Sequence, residues 1–153
     1  MEGIDNTDIK ILRLLQENSN ITTKELAQQV NLSPTPVFER VKQLEKKGFI
    51  KKYMAVLDTE KLNRGFVVFC NIKLKQHSKT YGQQFMKEIM SINEITECYN
   101  ISGEFDFMIK VYVRDMKEYQ DFVLNRLGSI ESIGSLQSTF VMAETKYNYG
   151  IIL

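Results

Sequence analysis

Apolar positions recur at helical spacing through the first third of the chain and alternate in strand fashion through much of the remainder. Ile9, Leu12 and Leu15, widened by Ile11 and Leu14, form one helical stripe. Asp5-Asn6-Thr7 offers caps for its start, and the turn formers Asn18-Ser19-Asn20 close it. Thr22-Thr23-Lys24-Glu25 has the spacing of a capping box, in which hydroxyl and carboxylate each satisfy an orphan backbone N–H. It opens a short helix with Leu26, Ala27 and Val30 inward, and Asn31-Leu32-Ser33 then makes a tight turn. The stretch SPTPVFERVKQLEKKG (residues 33–48) reads as the next helix, with Val37, Val41 and Leu44 on one face. Both prolines sit at its start, where a missing N–H costs nothing. Either Ser33 caps with Pro34 first, or Thr35 caps with Pro36 first; Gly48 supplies the left-handed residue that ends the helix.

After Gly48 the pattern predicts a small strand over residues 49–53 and another over 53–58. A linker then spans 58–65, with one helical turn at 59–62. Residues 66–75 form a strand, and Tyr81, Phe85 and Ile89 mark a helix after Ser78. Strands at 95–101 and 105–113 flank Ser102-Gly103-Glu104, a hairpin that needs glycine's positive φ. Asp115 to Glu118 has capping-box spacing, Met116, Tyr119 and Val123 continue as a helix until Gly128, and residues 136–144 are a last strand. The fold class is α+β: a (winged) helix-turn-helix followed by a β-α-β-β-α-β unit, the ferredoxin-like arrangement with both helices on one sheet face. The strands are apolar on both parities, so the open face is expected to expose Val67, Phe69, Met108 and Tyr112 as a patch that favours self-association.

Charge sharpens the picture. The 153 residues have room for one ordinary domain or two small ones, and their formal net charge is only +1. Residues 33–53, however, hold six bases against two acids, a net of +4. Those before them hold three bases and five acids (Glu2, Asp5, Asp8, Glu17, Glu25), a net of −2. Positive charge gathered on the second of two turn-linked helices is what a DNA-binding edge requires. With Ser33 at the helix start, Thr35, Glu39 and Gln43 are the base-edge candidates, and Lys42, Lys46, Lys47 and Lys51 the phosphate candidates. Arg40 either clamps a phosphate or pairs with a carboxylate inside the domain, and Phe38 flanks the core as packing. The division expected is a helix-turn-helix domain at 1–53, a linker at 54–65 and a sheet domain at 66–153. No apolar run is long enough to span a bilayer, no signal-peptide pattern opens the chain, and Cys70 and Cys98 read as buried free thiols without metal spacing. A cytoplasmic protein with neither metal nor catalytic constellation is expected.

Two stretches, NLSPTPVFERVKQLEKKGFIKKYMAVL (31–57) and ECYNISGEFDFMIK (97–110), resemble the Lrp/AsnC family of amino-acid-responsive transcription regulators, and the likeness spans nearly the whole chain. The resemblance implies double-stranded DNA and a small free amino acid as partners, no other cofactor, and homodimers joined through their sheets into octamers or similar rings. It places the effector turn on Ser102, Gly103, Glu104, Phe105 and Asp106, with Ser138 and Thr139 opposite. Chemistry agrees: Asp106 can accept from an ammonium, and the N–H groups of a glycine turn can hold a carboxylate. Two other readings share this architecture: an enzyme similar to the siroheme decarboxylases, and an effector-binding co-regulator that does not itself read DNA.

Overall fold

The computed structural model describes residues 3–153, so Glu2, one of the five acids before residue 33, lies outside the described residues. The chain forms two compact units, one running to Val56 and including Lys146–Leu153, the other Leu57–Thr145. The last eight residues thus group with the helices, whereas the sequence reading carries the sheet domain to residue 153.

The helical unit comprises α1 (Asn6–Glu17), α2 (Thr23–Val30) and α3 (Pro34–Lys46). Ile11, Leu26, Ala27, Val30, Val37 and Leu44 form its core. Asp5 caps α1 through the Asp8 N–H, and Thr22 caps α2 in the expected capping box with Glu25. Of the two starts open for α3, the structure takes Ser33 as cap and Pro34 as first helical residue, and the Ser33 hydroxyl makes no capping bond. Gly48, at φ +78°, ends the helix. The Phe49 N–H donates to Leu44 O and the Gly48 N–H to Glu45 O, both at 3.0 Å, a Schellman closure. The tail holds α1 through the Gln16 amide, which donates to Ile151 O at 2.8 Å and accepts from the Ile151 N–H at 2.9 Å.

Residues 49–58 form no strand, contrary to expectation. Among the described residues no strand edge pairs with them, and residues 51–58 stay exposed throughout. Extended residues without a ladder leave their N–H and C=O groups to water.

In the second unit the order is β1 (Phe66–Leu74), α4 (Lys79–Ile89), β2 (Ile95–Asn100), β3 (Phe107–Val113), α5 (Met116–Asn125) and β4 (Ile133–Phe140). The sheet runs β2-β3-β1-β4 and every neighbouring pair is antiparallel. Phe85 and Ile89 of α4 and Tyr119 and Phe122 of α5 pack into one core with Val68, Cys70, Ile72, Ile109 and Val111, so both helices cover the same face. Several boundaries shift from the sequence reading. Residues 59–62 form turns rather than helix, β3 begins at Phe107 rather than residue 105, and β4 ends at Phe140 rather than residue 144. Cys70 is buried as expected, but Cys98 is exposed because β2 is an edge strand.

The open face also departs from expectation. Val67 is buried, and between Phe69 and Tyr112 lies Lys110, only 4% exposed. Its ammonium sits 5.8 Å from the Phe69 ring centroid, 4.9 Å from that of Tyr112 and 3.5 Å from a Glu97 carboxylate oxygen. The face is therefore an aromatic frame around a paired cation, not a plain apolar patch.

At α5 the expected capping box is half made. Asp115 accepts from the Glu118 N–H, but the Glu118 carboxylate takes the Arg114 N–H at 2.6 Å and Arg64 at 2.7 Å. The Arg114 N–H first, then the Arg64 guanidinium, pull Glu118 down to about 2 from its ordinary 4.5. A depressed carboxylate stabilises the fold above its unfolded pKa and loses that contribution as pH falls toward the folded one. Glu118→Gln is therefore expected to flatten the loss of stability between pH 4.5 and about 2, read by acid titration of the melting temperature. An unchanged acid limb would show that Glu118 does not set it. Among the described residues no helix is long and apolar enough to cross a membrane.

Candidate nucleic-acid interface and effector turn

The turn between α2 and α3 depends on Asn31, which takes the left-handed conformation at φ +56° while the Leu32 N–H returns to Ala27 O at 3.0 Å. Asparagine tolerates that region better than most residues. With Val37 and Leu44 buried, α3 turns Thr35, Glu39, Lys42, Gln43 and Lys46 outward. All five are exposed, as are Ser33, Lys47 and Lys51. The bases are not equally free to reach phosphate. Lys42 pairs with Glu45 at 2.8 Å, and the Lys47 ammonium donates to Gly3 O at 3.0 Å. Glu45 also accepts from the Tyr53 hydroxyl at 3.0 Å. Burial first, then the Glu45 carboxylate, pushes the Tyr53 hydroxyl up to about 12.

Arg40 resolves to the internal alternative. Its guanidinium bonds Asp5 and Asp8, both at 2.7 Å, and ties the middle of α3 to the start of α1. Together with the Asp8 N–H, which contributes most, it holds the Asp5 carboxyl below its ordinary value. Phe38 flanks the core as expected, lining a groove with Leu15, Ile21, Leu26 and Val41, but remains 52% exposed on the side of α3 that carries Lys42.

In the sheet unit, Ser102, Gly103 and Glu104 are exposed at the tip of a loop between β2 and β3, and Phe105 is half-buried. Gly103 sits at φ +123°, a conformation that side chains resist. Asp106 is buried and anchors this loop. Its Oδ2 accepts from the Leu74 N–H at 2.8 Å, and its Oδ1 lies 2.7 Å from His77 Nδ1. Its backbone N–H donates to Ile72 O at 2.9 Å, while its carbonyl accepts from the Ile101 N–H and the Asn100 amide, each at 2.9 Å. A depression of about 250 Å³ beside it is lined by Leu74, His77, Ser78, Lys79, Asn100 and Asp106, among others. His77, the only histidine, carried no spacing signal that could have linked it to Asp106.

Ser138 and Thr139 are not at this loop within one chain. They pair with Cys70 and Phe69 of β1 and face opposite sides of the sheet. Ser138 lies on the helix side, its hydroxyl 2.5 Å from Tyr119 Oη, which is itself 3.0 Å from Cys70 Sγ. It lines a groove of about 420 Å³ between α5 and β4, walled by Met116, Val123, Leu124 and Phe140. Burial raises the Tyr119 hydroxyl well above its ordinary value and raises the Cys70 thiol as well. Among the described residues no cluster of three His, Cys, Asp or Glu is placed to hold a metal ion.

Comparison with known proteins matches residues 4–51 to the winged helix-turn-helix DNA-binding family and residues 67–151 to the Lrp/AsnC ligand binding domain. The leucine-responsive regulatory protein of Haemophilus influenzae is 37% identical over 152 residues, covering 99% of this chain and 92% of that protein. The Bkd operon transcriptional regulator of Pseudomonas aeruginosa is 34% identical over 142 residues, 93% of each. The crystal structure of a Neisseria meningitidis transcriptional regulator in complex with L-Met superposes with TM-score 0.93 at 35% identity, covering 97% of this chain and 96% of that one. An AsnC family transcriptional regulator from Agrobacterium tumefaciens gives TM-score 0.92 at 34% identity, covering 97% of each. A turn-linked pair of helices with an outward basic face, followed by a ferredoxin-like sheet, is matched along its length, and the chain belongs to the Lrp/AsnC family of DNA-binding transcriptional regulators.

Proposed function

We propose that this chain regulates transcription in the cytoplasm by reading specific sites in duplex DNA through α3, under the control of a small free amino acid. The observation that carries the DNA reading is the outward face of α3, where Thr35, Glu39 and Gln43 stand exposed beside Lys42, Lys46, Lys47 and Lys51. Amide and carboxylate groups recognise base edges and lysines neutralise phosphates. Arg40 is left out of this set because it is held by Asp5 and Asp8.

For the effector, the support is the loop Ser102 to Asp106 together with a relative crystallised with L-Met and others named leucine-responsive. In this reading the backbone N–H groups around Gly103 hold the amino acid's carboxylate, and Asp106 takes its ammonium in place of His77. Ser138 and Thr139 come from another subunit, because their own strand position does not meet the loop. Homodimers form through the open sheet faces, where Phe69, Met108 and Tyr112 surround Lys110, and assemble further toward octamers.

The salt dependence of DNA binding tests the placement of α3. Each of Lys46→Ala and Lys51→Ala is expected to weaken binding to all sequences alike and to lower the slope of log K against log salt by about 0.9 per lost phosphate contact. Gln43→Ala is expected instead to relax preference at particular base pairs, by about 1–3 kcal/mol. If the slope is the same for the parent and both lysine variants, α3 does not lie along the phosphates and the proposal fails.

A further inference from the structure

Phe38 is the one large apolar side chain of α3 left more than half exposed, on the flank between the outward face and a groove that it lines with Leu15, Ile21, Leu26 and Val41. Val37 and Leu44 are buried and Val41 is half-buried, while Phe38 is 52% exposed. It stands one helical turn from Thr35 and from Lys42, in the second turn of the helix. The ring is also braced. The Lys42 ammonium lies 5.8 Å from its centroid, Lys42 is held by Glu45 at 2.8 Å, and Glu45 is held by the Tyr53 hydroxyl at 3.0 Å. One side of the ring borders the apolar groove and the other stays open to solvent beside Lys42, where it can meet a ligand lying along α3. N-terminal residues of a recognition helix contact base edges, and the apolar group those edges present in the major groove is the 5-methyl of thymine.

We propose that Phe38 determines sequence preference by packing its ring against a thymine methyl. The inference rests on the DNA-binding reading above and adds a base and a chemical group to it. Glu39 and Gln43 supply hydrogen-bond discrimination from the same helix, and Phe38 supplies the apolar discrimination that they cannot.

The probe is a randomised duplex library enriched on the full chain, followed by synthesis of an enriched duplex with each thymine replaced in turn by uracil. Uracil pairs identically and lacks only the methyl. The parent is expected to lose affinity about fourfold at one thymine per half-site, the worth of one methyl group returned to water. Phe38→Ala is expected to bind thymine and uracil duplexes alike at that position, with an unchanged salt slope, since no phosphate contact is touched. Phe38→Leu, still apolar, is expected to restore part of the difference. The proposal is overturned if the parent tolerates uracil everywhere, or if Phe38→Ala still prefers thymine at that position. Should the parent bind with a steep salt slope yet ignore the methyls, the regulator reading stands and only the assignment of Phe38 falls. Should no duplex be enriched at all, both fall, and the exposed ring belongs to a protein contact.

Discussion

Phe85→Ala is expected to destabilise the sheet unit by about 3–5 kcal/mol, the range for removing a fully buried phenylalanine. Phe85 is 0% exposed and its ring centroid lies 4.6 Å from that of Phe107, so it joins α4 to the sheet. The truncation removes that aromatic contact and leaves a cavity which Val68, Ile72 and Ile109 of the same core fill only in part. A domain with roughly 5–15 kcal/mol to lose becomes marginal. The helical unit has its own core, built on Ile11, Leu26, Val37 and Leu44, and is expected to keep its helices. Denaturant unfolding followed by circular dichroism would then show one transition moved to lower concentration and the other held. A single transition that shifts as a whole would show that the two units unfold as one and contradict the expectation.

At Asp106, two substitutions separate structure from effector binding. Asp106→Ala removes the acceptor of the Leu74 N–H inside the fold, and a hydrogen bond to a charged group contributes about 1.5–3 kcal/mol. The orphaned N–H adds its desolvation penalty, so the loop is expected to loosen and the sheet unit to melt earlier. Asp106→Asn keeps an oxygen for Leu74 but removes the charge that faces His77. Its stability is expected to change little, while affinity for the proposed amino-acid effector, probed with L-methionine and L-leucine, is expected to fall about tenfold or more, the worth of a charge-assisted bond to the ammonium. Calorimetry with both amino acids on both variants decides the matter. Binding by Asp106→Asn as tight as the parent's would assign Asp106 to the loop's architecture alone and move the ammonium elsewhere.

Most of the helix caps and stops that sequence spacing implies are present in the structure. Thr22 and Glu25, Ser78, and Asp115 cap the helices that their spacing announces, and Gly48 closes α3, because each of these bonds spans only a few residues. The alternation in β1 and β3 and the stripes of α4 and α5 determined the covered face for a related reason. Periodicity states which side of an element is apolar, and few topologies bury all those sides at once.

What sequence spacing alone did not determine is which of several available partners a polar or aromatic group takes. Arg40 had both phosphates and internal carboxylates open to it, and only the packing of α1 across α3 brought Asp5 and Asp8 within 2.7 Å. Glu118 had capping spacing but found Arg114 and Arg64, and His77 met Asp106 from the far side of a helix and a strand that no spacing rule bridges. Residues 49–58 had strand character without a strand beside them, and Lys110 sat inside an apolar alternation that concealed a cation. Phe38 flanks the core as its position beside Val37 implies, but how much of the ring stays exposed depends on the neighbours that tertiary packing brings to it. Caps and stripes are properties of neighbours in the chain, whereas ion pairs, ladder partners and exposure are properties of neighbours in space, which tertiary packing alone selects.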